Sequence, residues 1–119
     1  MLSILGSTRI YVCQAATDMR CSFEGLSYRA REVVKEDPQS GHLFLFLNKT
    51  RDKLKILYFD HSGYAIWYKE LQRGTFSCPE KRELTSGELG CLLEGIEIAG
   101  IRRKKRYSGR ITTAQSVAL

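Results

Sequence analysis

Three runs of leucine, β-branched and aromatic residues lie close together in the middle of the chain, within residues 42–69. The first run, Leu43–Leu47, is apolar without interruption, which is typical of a strand covered on both faces. In the next two, residues 53–59 and 64–69, lysines and tyrosine hydroxyls interrupt the apolar side chains, as in strands with one wetter face. Residues 60–63, Asp-His-Ser-Gly, suit a tight hairpin turn in which Gly63 takes positive φ. The pattern predicts a three-stranded antiparallel meander.

A short strand and a long helix are predicted before the meander. Residues 9–13 predict the strand. Thr17 and Asp18 predict the helix start, because threonine caps free amides and aspartate suits the positive end of the helix dipole. Apolar residues then recur at helical spacing down to about residue 35, and Pro38 follows the helix end. The apolar stripe consists of Met19, Phe23, Leu26, Ala30 and Val33 or Val34.

Two further elements are predicted after the meander. Residues 75–78 suit a short fourth meander strand that Pro79 ends at a sheet edge. Residues 85–88, Thr-Ser-Gly-Glu, match a capping box and precede leucines at helical spacing, with Gly95 placed to end the helix. The predicted fold is α+β: an antiparallel meander sheet of four to five strands in the order β-α-β-β-β-β-α, covered by one long and one short helix.

The net charge of +6 changes this picture because of where it lies. Residues 1–101 contain 13 Lys and Arg against 13 Asp and Glu, so the whole excess falls in the last eighteen residues. A segment without hydrophobic periodicity stays disordered until it meets an anion. We predict a single α+β domain at 1–101 and a basic flexible tail at 102–119. The cations of the tail are Arg102, Arg103, Lys104, Lys105, Arg106 and Arg110.

Other features of composition narrow the classes of protein. No apolar run approaches the roughly 18 residues that span a bilayer, and residues 1–6 lack the basic start of a signal peptide. We therefore expect a cytoplasmic protein with no membrane partner. Its cysteines would stay reduced and serve as small core hydrophobes, since their spacings contain no Cys-x-x-Cys pair. They are Cys13, Cys21, Cys78 and Cys91.

Catalytic motifs are not recognisable. His42 and His61 fall outside any metal-ligand spacing, and the chain has no phosphate loop, Gly-x-Ser-x-Gly or Gly-x-Gly-x-x-Gly. We expect a non-enzymatic protein with no catalytic residue, no metal site and no cofactor. The alternative, an enzyme that uses a divalent metal for nuclease chemistry, needs Asp18 and Asp60 within a few ångströms of each other.

Cations and aromatic rings cluster on the predicted second hairpin. Lysines and arginines recur at residues 49–55 with only Asp52 to offset them, and Lys53 and Lys55 point to one strand face. Aromatic residues on the adjoining strands allow cations and rings to share a surface, as nucleic-acid sites require. The other interpretation is an amphipathic sheet with its aromatics in the core. The predicted nucleic-acid-binding residues are Arg20, Lys49, Arg51, Lys53, Lys55, Tyr58, Trp67, Tyr68, Arg102, Arg103, Lys104, Lys105 and Arg106.

Several sequence blocks follow one another in a recognisable order, at residues 8–12, 17–20, 23–26, 37–46, 52–60, 68–69 and 92–96. Their order resembles that of the small accessory protein encoded by the second reading frame of insertion-sequence-66 elements, the TnpB-type protein. The chain does not resemble the large RNA-guided nucleases that share this label. The resemblance implies a role in bacterial transposition beside a separate transposase that carries out the chemistry. We expect the chain to bind DNA of the element ends, the transposase, or both, and a homo-oligomer is left open. The alternative is an adaptor that binds only protein through a sheet edge.

Overall fold

The structure, a computed structural model, describes residues 6–77 and 79–95. The predicted basic tail, Cys78 and Ile96 lie outside the described residues. None of the described helices has the length and apolarity needed to cross a bilayer.

Five strands form one sheet in the order β4-β3-β2-β1-β5. β1 runs parallel to β2, and every other neighbouring pair is antiparallel. The α+β class and the predicted order of elements are confirmed, with one parallel pair inside a mostly antiparallel sheet. The strands are β1 Ile10–Val12, β2 Leu43–Leu47, β3 Lys53–Asp60, β4 Gly63–Glu70 and β5 Glu83–Leu84.

The meander of β2, β3 and β4 is confirmed at the centre of the fold. All five residues of β2 are buried, as its uninterrupted apolar sequence predicts. A two-residue turn joins β3 to β4, with Asp60 opposite Gly63. The prediction that Gly63 takes the positive φ is wrong, because the left-handed residue of the turn is His61, at φ 55°.

A helix packs on each face of the sheet. Helix α1, Phe23–Arg29, continues into a π-helical segment, Ala30–Val34, and Lys35 ends it in the left-handed conformation. Its buried residues pack on Tyr11, Phe44, Phe46 and Leu57, the α1 face. Helix α2, Ser86–Leu93, packs on the opposite side of the sheet, which we call the α2 face. The strand residues that alternate with those of the α1 face, such as Leu45 and Ile56, form this side.

Helix α1 begins later than Thr17 and Asp18 predict. Ser22 is the residue before its first turn. Thr17 is buried, and its N–H donates to the carbonyl of Leu47 at 2.8 Å, so it extends the pairing along β2. Its hydroxyl accepts from Arg29 Nε at 3.1 Å instead of capping helix amides. Residues 14–22 therefore form an irregular crossing segment over the sheet.

The apolar stripe of α1 is narrower than predicted. Leu26, Ala30 and Val34 are buried, whereas Phe23 and Val33 are 46% and 45% exposed. Met19 is partly buried against the α1 face from the crossing segment, outside the helix. The buried stripe of the helix therefore contains Val34 and not Val33, and it does not include Met19 or Phe23.

The predicted fourth meander strand at 75–78 is wrong for its described residues, 75–77. Phe76 is buried in the α2 face, and its N–H donates to the carbonyl of Arg51 at 2.7 Å. Phe76 therefore anchors a loop, and the fifth strand is β5, which pairs with β1. The capping box is confirmed, because Thr85 accepts from the Glu88 N–H and the Glu88 carboxylate accepts from the Thr85 N–H.

Candidate nucleic-acid interface

An open groove of about 680 Å³ lies where the crossing segment passes over the start of β3 and the end of β4. It is on the α1 face, since Lys53 and Tyr68 alternate with the residues that face α2. Four predicted nucleic-acid-binding residues, Arg20, Lys49, Lys53 and Tyr68, line it together. Sequence positions that are far apart thus meet at one surface.

The loop at residues 48–52 lines the groove through Asn48, Lys49 and Thr50. Asn48 Nδ2 donates to the hydroxyl of Thr50 at 3.1 Å and to Asp52 Oδ1 at 2.8 Å, and Thr50 donates to the same carboxylate oxygen at 2.8 Å. Asn48 Oδ1 accepts from the Lys53 N–H at 3.1 Å. These bonds connect every second side chain of the loop, so the intervening Lys49 and Arg51 are exposed.

The carboxylate of Asp52 keeps its charge in this arrangement. The hydrogen bonds from Asn48 and Thr50, and to a lesser extent the nearby Lys53 ammonium, lower the pKa of the Asp52 carboxyl below its usual value. The carbonyl of Asp52 also accepts from the Leu71 N–H at 2.8 Å. The loop is thus held by its own polar side chains and by Leu71, the residue that follows β4.

Three cations around this loop are not held by a hydrogen bond or an ion pair in the described part of the chain. The side chains of Lys49, Arg51 and Lys53 make no hydrogen bond or ion pair with any residue of 6–77 or 79–95. Arg31, Lys35 and Arg73 likewise make no such contact with a described residue, whereas the remaining described cations are engaged in the fold. For example, Arg82 donates to the Val34 carbonyl at 2.9 Å and to Glu36 at 2.8 Å.

Arg20 also lines the groove, paired with Asp18. Its Nε lies 3.1 Å from both carboxylate oxygens of Asp18, and its Nη2 lies 2.7 Å from Oδ2. These hydrogen bonds, with one from the Arg20 N–H, lower the pKa of Asp18 to about 2. The Arg20 side chain is nonetheless 92% exposed, so its guanidinium is oriented while its remaining N–H groups face water.

Lys55 is not available at the surface, contrary to its predicted role. It shares the strand face of Lys53, as predicted, but the crossing segment covers it. Its ammonium donates to the carbonyls of Met19 at 2.9 Å and Cys21 at 2.8 Å. It also lies 4.9 Å from the centroid of the Tyr68 ring. Lys55 therefore attaches the crossing segment to β3, where it cannot meet a phosphate.

The predicted aromatic residues divide between the two faces of the sheet. Tyr68 is 49% exposed on the α1 face. Tyr58 and Trp67 pack, partly buried, against the core of the α2 face. Cations and rings therefore share a surface at Tyr68 but not at Tyr58 or Trp67. The cations from Arg102 to Arg106 lie outside the described residues.

Sequence reasoning missed the polar residues that build the groove. Thr17, Asn48 and Thr50 line it. The alternation Asn-x-Thr-x-Asp at residues 48–52 is a signal for the loop, because these three side chains favour local hydrogen bonds in turns. Thr17 gave no such signal, since its sequence also fits a helix cap.

The arrangement that a two-metal enzyme requires is not present at Asp18 and Asp60. Asp18 lines the groove together with Lys53, which is the first residue of β3. Asp60 is the last residue of the same strand. At about 3.3 Å per residue, the strand separates its two ends by roughly 23 Å. Within 6–77 and 79–95, no three His, Cys, Asp or Glu side chains are grouped to hold a metal ion.

Comparison with known proteins gives one family. Residues 8–103 match the family described as IS66 Orf2 like protein. The uncharacterized protein y4hO of Sinorhizobium fredii (strain NBRC 101917 / NGR234) is 34% identical over 95 residues, which cover 76% of this chain and 83% of the relative. The uncharacterized protein y4jC of the same strain is 29% identical over 100 residues, covering 81% and 86%. No solved structure matches the chain.

Proposed function

The chain belongs to the family of IS66 Orf2-like proteins, an accessory family of transposition, and on that premise we propose that it binds the DNA of its element without catalysing strand transfer. The groove, the loop at 48–52 and the basic tail would form the contact surface. The transposase of the element is the second expected partner, and it would carry out the chemistry.

One observation carries the proposal: Lys49, Arg51 and Lys53 make no ion pair with a described residue, and they lie on or directly after a loop that its own hydrogen bonds hold in place. A cation already paired with a carboxylate offers a phosphate less net charge than a free one. Free cations release condensed counterions when they meet the DNA backbone, which drives binding without regard to sequence. The three side chains are therefore suited to position DNA, while sequence selection would come from elsewhere.

Titration of the full chain with labelled DNA of the element ends, at several salt concentrations, tests the proposal. The variant Lys49→Glu/Lys53→Glu should weaken binding and flatten the salt dependence by about 2 units of slope, at about 0.9 per phosphate contact. The matched control Arg31→Glu/Lys35→Glu changes the net charge equally at the far end of the α1 layer, where both side chains are exposed. Equal losses in the two variants would show that net charge alone drives binding and would remove the groove from the contact surface.

The tail is tested separately by ending the chain after residue 101. This truncation removes six cations, which would contribute a slope of at most roughly −5. If neither the truncation nor the double charge reversal changes DNA binding, the proposed surface is wrong.

A second candidate function is a protein-binding adaptor, and the edge of the sheet favours it. β4 is eight residues long, stands at the end of the strand order and pairs only with β3 among the described strands. A long open edge offers backbone N–H and C=O groups to a strand of another protein. Pull-down of the transposase in the presence of nuclease separates this adaptor function from a contact bridged by DNA.

A further inference from the structure

We infer that the groove takes single-stranded DNA and stacks one unpaired base on Tyr68, an inference that rests on the proposed DNA-binding function. The reasons are the position of the Tyr68 ring against Lys55, the apolar side chains beside it, and nearby cations that make no ion pair with a described residue. Together they define a site for a flat aromatic group attached to a phosphate backbone.

The Tyr68 ring is held from below. Lys55 lies 4.9 Å from the ring centroid and is itself fixed by two carbonyls of the crossing segment. A lysine near a ring face is attracted to the π electrons, which limits the orientations of the ring. Because Tyr68 is still 49% exposed, its free surface faces the groove that it lines. A base could stack there without first ordering the side chain.

The surroundings of Tyr68 suit a base better than a second phosphate. Ala16 and Met19 line the same groove and offer apolar contact. Asp18 is ionised and paired with Arg20, so it repels a phosphate placed next to it. Lys53 lies one strand repeat from Lys55, about 7 Å along β3, where it can reach the backbone phosphate of a stacked nucleotide. The volume of about 680 Å³ is in the range that holds a small-molecule-sized group.

A single strand fits this site because its bases are accessible. In duplex DNA every base face is stacked, and extruding one base costs a few kcal/mol before any contact is made. Aromatic side chains beside a cationic groove are the general device for binding single strands without sequence preference. The groove has one such ring, so we expect it to hold one base and to place the adjoining backbone on Lys49 and Lys53.

Fluorescence anisotropy of the full chain with a labelled single strand, and with the duplex of the same sequence and length, tests the inference. The wild-type chain should bind the single strand more tightly. Tyr68→Ala should weaken that binding roughly 5- to 100-fold and leave its salt slope unchanged, since no charge is removed. Tyr68→Phe should bind as the wild type does. Tyr68→Leu, which keeps apolar bulk without a π face, should behave like Tyr68→Ala.

Tyr28→Ala is the matched control, because Tyr28 is 58% exposed on α1 and does not line the groove. It should bind as the wild type does. The inference is wrong if the duplex binds as tightly as the single strand, or if Tyr68→Ala and Tyr28→Ala bind alike. In that case sensitivity to Lys49→Glu/Lys53→Glu would still support DNA binding by the groove. If the wild-type chain binds neither form of DNA, the proposed function fails together with the inference.

Discussion

The two faces of the sheet are closed in different ways. The α2 face is covered by aliphatic side chains of α2 and by Phe76, in one continuous apolar core. The α1 face is covered by a helix only in part, and over β3 the crossing segment is attached by the hydrogen bonds of Lys55 to backbone carbonyls. A segment attached by hydrogen bonds leaves space over the sheet that a packed apolar helix would fill. The groove lies in this space, where the crossing segment passes over the α1 face.

Lys53 and Lys55 show the same difference within one strand. They share a strand face two residues apart, yet Lys55 is buried and bonded to carbonyls while Lys53 has no ionic partner in the described chain. Whether a lysine on this strand face stabilises the fold or is available to a ligand therefore depends on whether another segment of the chain covers it. Position along the strand does not decide this.

The strongest test of the comparison is Phe76→Ala. Phe76 is 1% exposed in the α2 face, so removing its ring should lower the free energy of unfolding by about 3–5 kcal/mol. Urea denaturation measures the change. Phe23→Ala, at a ring 46% exposed, should change it by less than about 0.5 kcal/mol. Similar losses in the two variants would mean that Phe76 is not part of the α2-face core.

Lys55→Met and Lys53→Met separate the two lysines. Lys55→Met leaves two covered carbonyls without their donor, and it should lower the free energy of unfolding by about 1–3 kcal/mol. Lys53→Met should leave stability within about 0.5 kcal/mol but lower the salt slope of single-strand binding by about 0.7. Equal stabilities of the two variants would contradict the polar attachment of the crossing segment.

The capping box of α2 should contribute less. Thr85→Ala removes the acceptor of the Glu88 N–H and should lower the free energy of unfolding by about 1 kcal/mol in the same denaturation experiment. Ser86→Ala, one residue later and outside the capping box, is the control. A loss no larger than that of the control would show that solvent replaces the cap.

The pairing of Asp18 with Arg20 should have the smallest effect on stability, because both side chains are exposed. NMR titration of the Asp18 carboxyl should give a pKa of about 2, and Arg20→Leu should raise it toward 3.8. Since the folded-state pKa is the lower one, the stabilisation is complete above about pH 4 and is lost as the pH falls through 2. An unchanged pKa in Arg20→Leu would show that Arg20 does not hold the carboxylate.

The meander and α2 could be predicted from sequence because their signals are local. The uninterrupted run at Leu43–Leu47 and the capping box at Thr85 each act through neighbours within a few residues. The start of α1 could not be predicted locally, since Thr17 donates to Leu47, a residue distant in sequence. Tertiary pairing overrode a good capping sequence.

The candidate site was predictable in composition but not in detail. The cluster of cations at residues 49–53 is evident from the sequence, and Arg20 and Tyr68 were predicted as separate site residues. The structure brings Arg20 and Tyr68 into one groove with Lys49 and Lys53. The burial of Lys55 was not predictable, because strand alternation gives the face of a residue and not its cover. Tyr58 and Trp67 follow the same alternation to the α2 face.

The place of β1 has a consequence for how the chain folds. β1 lies between β2 and β5, and β5 reaches the sheet only through it among the described strands. The meander closes short loops, which form early, whereas Ile10 must find Leu43 and Leu84 across long stretches of chain. We expect residues 43–70 to nucleate folding, and β5 and α2 to dock last. A chain whose synthesis stops before β5 would leave one edge of β1, Ile10–Val12, unpaired and prone to aggregation.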